Sequence, residues 1–121
     1  MFRITTLVLL LIVAAAPAVA EASRAPTKRE AKSLARKMGK NVPTRCLRIR
    51  ISTVSERWAG VRFRLEKRSC DQWNADGIGV FKRRRASRPG PWRFVTAGSS
   101  FDCPVPKVPS RVAKDLKIPC E

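Results

Sequence analysis

Residues 47–66 read LRIRISTVSERWAGVRFRLE. Leu47, Ile49 and Ile51 alternate with Arg48, Arg50 and Ser52, and Ala59, Val61, Phe63 and Leu65 alternate with Gly60, Arg62, Arg64 and Glu66. Side chains on a strand point alternately to its two faces, so a period of two predicts two half-buried strands. Thr53 to Arg57, with Ser55 and Glu56, is polar enough to connect them as a hairpin. Antiparallel pairing of Ile49 with Phe63 and Leu47 with Leu65 gathers the apolar residues on one face. The same register sets Arg48 opposite Arg64 and Arg50 opposite Arg62 on the outer face. A one-residue slip would mix the faces. Like charges directly opposite are unfavourable, so these four guanidinium groups either await an anion or splay into solvent.

Upstream, Pro26 and Thr27 open a helix, and Glu30, three residues after Thr27, completes a capping box. Ala31, Leu34, Ala35 and Met38 then form one apolar stripe at helical spacing. Lys28, Arg29, Lys32, Arg36 and Lys37 take the remaining surface, and Gly39 supplies the stop. The stripe lacks Trp and Phe, so it is expected to pack on a sheet rather than on lipid.

Downstream, Asp71 to Gly77 reads as a loop and Ile78 to Lys82 as a third strand. The run Lys82, Arg83, Arg84, Arg85 and Arg88 leads into the turn at Pro89, Gly90 and Pro91, and Trp92 to Ala97 follows as a fourth strand. The burial face of that strand is ambiguous, because Trp92 and Phe94 lie on one side and Val95 and Ala97 on the other. Pro104, Pro106 and Pro109 keep the tail extended until Ser110 caps a short helix with Val112, Ala113 and Leu116. The expected fold class is α+β: an N-terminal amphipathic helix, a four-stranded antiparallel meander, a short C-terminal helix and two disulfides.

Ahead of this unit, Met1 to Arg3, the apolar run Ile4 to Ala16 and the small residues Ala18 and Ala20 have the form of a secretory signal cleaved after Ala20. The apolar run is shorter than the ~20 residues a spanning helix needs. The expected organisation is a leader over 1–20 and one basic domain over 21–121, secreted or associated with the cell envelope. Arg3 is the only charged residue in the leader, so the net charge falls only from +17 to +16 on its removal. Such an excess repels itself in the compact state and attracts polyanions.

All four cysteines, Cys46, Cys70, Cys103 and Cys120, follow the leader, and an even count in a small exported domain reads as two disulfides. Four cysteines allow three connectivities. In an up-down meander Cys46, Cys70 and Cys103 lie at the same end of the sheet, and Cys120 is a short span from Cys103. Cys46 with Cys70 and Cys103 with Cys120 is therefore the preferred pairing, each loop worth about 3 kcal/mol through lost chain entropy. C-x-x-C spacing and His are both absent, which speaks against zinc.

The lack of His also removes the usual acid–base and nucleophile partners, and no cofactor is expected. A Ser with a desolvated Lys, for instance Ser110 with Lys114, is a conceivable activity, at a spacing equally that of a helix cap and a solvated helix face. Of the tryptophans, Trp92 reads as core. Trp58 on the arginine side and Trp73 in a loop are the candidates for exposure.

Trp58-Ala59-x-Val61, Cys70, Gly90-x-Trp92-x-x-Val95-x-x-Gly98-Ser99, Cys103, Val108-Pro109, Val112, Asp115-Leu116 and Cys120 occur in an order that resembles small exported domains of actinobacterial type, a group without an assigned activity. The resemblance covers about half of the chain. It implies a compact α+β domain with paired cysteines and carries no catalytic residues with it.

The expected role is a non-enzymatic binding module for anionic envelope polymers or other polyanions, acting through Arg48, Arg50, Arg62, Arg64, Lys82, Arg83, Arg84, Arg85 and Arg88. A membrane-active protein using the basic first helix, and an inhibitor-like module contacting a protein through Trp73, are the alternatives.

Overall fold

The computed structural model describes residues 23–73, 75–86 and 91–121. The leader over 1–20 and Arg88 lie outside the described residues. Helix α1 spans Lys28–Met38 and opens with the expected capping box. Thr27 Oγ1 accepts from the Glu30 N–H at 3.2 Å, and Glu30 Oε1 accepts from the Thr27 N–H at 2.9 Å. Strands β1 (Leu47–Ile51), β2 (Trp58–Phe63), β3 (Ile78–Lys82) and β4 (Arg93–Gly98) form one antiparallel sheet in the order β1-β2-β3-β4. Helix α2 spans Ser110–Asp115. The architecture is α+β, as the alternating and helical periods imply.

Both faces of the sheet are covered. On the first, Leu34 and Ala35 of α1 pack on Leu47, Ile49, Ile51, Ala59, Val61 and Phe81, with Trp92 completing the cluster. On the second, Val105, Val108, Val112, Leu116 and Ile118 close over Trp58, Ile78 and Val80. The side of β1 and β2 that carries the arginines is therefore not an outer face along its whole length. Ile78 and Val80 make the same side apolar on β3, and the C-terminal segment buries it. Trp58, a candidate for exposure, is 4% exposed beneath this cover. Gly60 lies under it too: a Cβ there would come within 2.8 Å of Ile78 Cδ1.

The hairpin register differs from the expected one by two residues. Leu47 pairs with Phe63, Arg48 with Arg62, Ile49 with Val61 and Arg50 with Gly60. A two-residue shift leaves every side chain on its expected face, so facial hydrophobicity does not decide between the two registers. The connections do. Ser52 N–H donates to Trp58 C=O at 2.9 Å, closing the loop early, and Leu65 falls in the turn after β2, where it is exposed.

The ambiguous face of β4 has a local cause. Val80 pairs with Thr96 but Phe81 with Phe94, so Val95 is an extra residue on the outer strand. Such a bulge re-aims the following side chains. Phe94 stays on the α1 side in an edge contact with Phe81, while Val95 joins the second cluster. At α2, Pro109 rather than Ser110 is the N-cap residue, and no side chain caps the helix. The disulfides join Cys46 to Cys70 and Cys103 to Cys120, with Cα separations of 5.5 and 5.7 Å. No helix among the described residues is long and apolar enough to cross a membrane.

Candidate functional site

The corrected register brings Arg48 and Arg62 directly opposite each other on neighbouring strands, beyond the edge of the second apolar cluster. Arg62 is half-buried and donates from Nη2 to the backbone carbonyl of Lys117 at 2.9 Å. Burial, and then the positive charge of Arg48, push the Arg62 guanidinium below its ordinary value. Both effects act against the cation, and no ion pair joins Arg62 to a carboxylate among the described residues.

Lys117 is placed by the end of α2. Its N–H reaches the Lys114 carbonyl at 3.1 Å, and the Ile118 N–H reaches the Ala113 carbonyl at 3.0 Å. This is the paired closure in which a helix ends on one left-handed residue, usually glycine. Here that residue is Lys117, with φ +54. A β-carbon in that conformation is held at some steric cost. The closure turns the Lys117 carbonyl toward Arg62, and Lys117 is among the residues that line the groove there.

The groove has a volume of about 380 Å³ and is lined by Arg48, Arg62, Leu65, Glu66, Asp76 and Lys117, among others. Glu66 sits at its rim, 3.1 Å from Arg48 and 3.9 Å from Arg64. Its own backbone N–H, and then the Arg48 and Arg64 charges, hold the Glu66 carboxyl below the ordinary carboxylate range. Both partners in the Arg48–Glu66 contact are more than half exposed, so the contact is readily exchanged with water and ions.

The other basic residues named from sequence divide into distinct environments. Arg50 faces Gly60 and donates to Ser23 Oγ at 2.9 Å and to the Ser23 carbonyl, away from the groove. Arg64 lies beyond β2 and donates from Nε to the Leu47 carbonyl at 3.2 Å. Lys82 places its ammonium 5.1 Å from the ring centroid of Trp58. Arg84 and Arg85 are exposed. Arg88 lies outside the described residues.

Arg83 does not belong to a surface strip. It is 3% exposed, donates from Nε to the Glu56 carbonyl at 2.9 Å, pairs with Glu30 at 2.8 Å and lies 4.6 Å from the centroid of Trp92. A run of like charges carries no mark of which member turns inward. The acceptors for Arg83 come from distant segments, and they decide the matter.

No protein-family model, curated protein or solved structure matches the chain. The residues behind the resemblance to small exported domains have structural roles here. Trp58, Val95, Val108, Val112 and Leu116 belong to the second cluster, and Ala59, Val61 and Trp92 to the first. Asp115 is a side chain whose role sequence reasoning missed. It is buried and accepts from Ser52 Oγ at 2.6 Å and from the Thr53 N–H at 2.8 Å, tying the end of α2 to the β1–β2 loop. Ser110 and Lys114 are both exposed. No cluster of metal-ligating side chains occurs among the described residues.

Proposed function

We propose that this chain is an exported, non-enzymatic binding module that docks on anionic polymers, with residues 1–20 as its cleaved leader. The observation that supports this reading is where the acidic side chains go. Glu30 and Glu56 hold Arg24, Glu30 also holds Arg83, Asp115 holds the β1–β2 loop, and Glu121 accepts from Ser100 Oγ. Glu30, Glu56 and Asp115 are thereby withdrawn wholly or partly from the surface, while Glu66, Asp71, Asp76, Asp102 and Glu121 stay exposed among a larger number of cations. Arg29, Lys32, Arg36, Lys37, Arg45, Arg57, Arg84, Arg85, Arg93, Lys107, Arg111 and Lys114 face solvent. The net charge of +16 that remains once the leader's Arg3 is removed is thus carried mainly by exposed cations. Such a field concentrates polyanions and speeds their encounter.

The membrane-active alternative is less favoured, since Leu34 and Ala35 of the α1 stripe lie against the sheet and the helix offers solvent mainly its basic face. Trp73, the contact suggested for a protein partner, packs partly against the first cluster.

The test is retention of residues 21–121 on a polyphosphate resin over a salt gradient. Polyanion docking gives elution well above ~0.15 M salt, with log affinity falling linearly in log salt as counterions are released. Elution at or below that concentration overturns the reading.

A further inference from the structure

Within this polyanion reading, on which the following rests, we infer that the groove between Arg48, Arg62 and Lys117 is a discrete site for one phosphate group, with Glu66 as its built-in competitor.

Three observations converge on it. Arg48 and Arg62 stand opposite each other across a hairpin whose loop and turns fix the register, so their mutual repulsion is maintained by the fold. Arg62 is half-buried with its orientation set by the Lys117 carbonyl, so part of its donor fork is positioned before any ligand arrives. Lys117 occupies a left-handed helix-ending position where glycine would be easier. Lys117 is also among the residues lining the groove, and a backbone outlier at such a place is a pointer to function.

The chemistry favours phosphate over carboxylate. One guanidinium fork satisfies one carboxylate. Two forks and an ammonium offer more donors than two oxygens can accept, whereas a free or terminal phosphate presents at least three terminal oxygens and up to two charges, and even an in-chain diester sets its oxygens in a tetrahedral rather than a planar array. Glu66 already supplies a carboxylate to Arg48 and Arg64 at the rim, and among the described residues no ion pair joins Arg62 or Lys117 to a carboxylate, the groove's other carboxylate, Asp76, accepting from the Gly77 N–H. An incoming phosphate bridges Arg62, Lys117 and Arg48, and displaces Glu66 from Arg48. The phosphate can be a diester within a polymer or a free or terminal monoester.

The test is titration of the folded, disulfide-intact chain at low ionic strength, followed by backbone amide chemical shifts. Inorganic phosphate represents the free or terminal group and dimethyl phosphate the in-chain diester. Saturable shifts at Arg62, Glu66 and Lys117 with either probe support the site, and the tighter probe identifies the source. Arg62→Gln is expected to weaken binding about tenfold, the size of one charge-assisted contact.

Lys117→Gly is the sharper variant, because glycine is suited to that backbone position. It should melt no lower than the parent yet bind about tenfold more weakly. Lys107→Gly is its control, removing the same charge from another exposed lysine at positive φ, +66, which should leave binding within about twofold. Glu66→Gln should tighten binding, and Asp102→Asn, an equal charge change at an exposed position elsewhere, should not match it.

Equal losses for Lys117→Gly and Lys107→Gly overturn the site, as do equal gains for Glu66→Gln and Asp102→Asn. Retention on polyphosphate resin with no saturable shifts in the groove rejects the site and keeps the polyanion reading. Saturable shifts without retention reject that reading and keep a small-anion site.

Discussion

Glu30 Oε2 meets Arg83 Nη1 at 2.8 Å, with the two side chains only 9% and 2% exposed. Arg24 grips the same carboxylate from the other side, at 2.8 and 3.0 Å. The α1 N-terminus, the preceding segment bridged to β1 at Ile51 and the end of β3 therefore meet at one ion cluster. The Arg83 Nη2 atom has no hydrogen-bond partner among the described residues, so the guanidinium depends heavily on Glu30 for compensation. Removing one partner of a buried pair leaves an uncompensated charge, which costs about 3–5 kcal/mol. Glu30→Gln is expected to fall at the lower end, about 3 kcal/mol, because the amide still accepts hydrogen bonds. Denaturant unfolding measures it, and a loss below about 1 kcal/mol would show the cluster to be peripheral to stability.

The same carboxyl sets an acid limit. Burial works against its ionisation, but the Arg24 hydrogen bonds, the Thr27 N–H and the charges of Arg24 and Arg83 outweigh burial and bring it down to about 2. A group whose value is lower folded than unfolded stabilises the fold above the unfolded value and loses that contribution as pH falls through the folded one. The window runs from the ordinary 4.5 down to about 2. Melting temperature should therefore fall more steeply across this window in the parent than in Glu30→Gln. Parallel curves for the two proteins would count against the assignment.

Much of the architecture was legible because local signals and tertiary demands agree. Thr27 and Glu30 mark the start of α1 by a local hydrogen-bond exchange that the folded chain retains. Strand alternation fixed which side of β1 and β2 is apolar, and the meander placed Cys46 near Cys70. What escaped was what depends on distant partners. The register moved by two because alternation has a period of two and cannot count in such steps. Trp58 was hidden because β3 is apolar on the side where β1 is basic. Arg83 turned inward toward acceptors at Glu30 and Glu56, and Arg48 came to face Arg62 only once the register had shifted. The groove follows from that correction, together with the helix-ending role of Lys117, for which the sequence has no glycine to signal it.

Asp115 and Ser52 are linked across the second face of the sheet, and the bond explains why the β1–β2 loop closes where it does. One oxygen of Asp115 takes the Ser52 hydroxyl and the Thr53 N–H, with the Val54 N–H at 3.4 Å, while Ser52 Oγ itself accepts from the Ser55 N–H at 3.2 Å. Asp115→Ala strands these donors beside a buried site, and an unsatisfied buried donor costs about 1–3 kcal/mol. The expected loss is about 2–3 kcal/mol, with faster hydrogen exchange at Thr53 and Ser55. Unchanged exchange at both amides would mean that the loop holds its form without the carboxylate.

The two disulfides should differ in their response to reductant. Cys46 and Cys70 are 0% and 2% exposed, whereas Cys103 and Cys120 are both exposed. An attacking thiolate needs access to a sulfur, so the Cys103–Cys120 bond is the one reached first. It closes the segment that covers the second face, alongside backbone bonds from Phe101 N–H to the Pro119 carbonyl at 2.9 Å and from Glu121 N–H to the Phe101 carbonyl at 3.0 Å. Opening it lifts a chain-entropy constraint worth about 3 kcal/mol, and the effect should concentrate on that cover. Limited reduction followed by alkylation should therefore label Cys103 and Cys120 before Cys46 and Cys70. In the partly reduced protein, amide exchange should accelerate over Val112 to Leu116 while β1 and α1 stay protected. Simultaneous labelling of all four cysteines would instead place both bonds in a single opening unit, and the C-terminal cover would then be no less cooperative than the sheet it rests on.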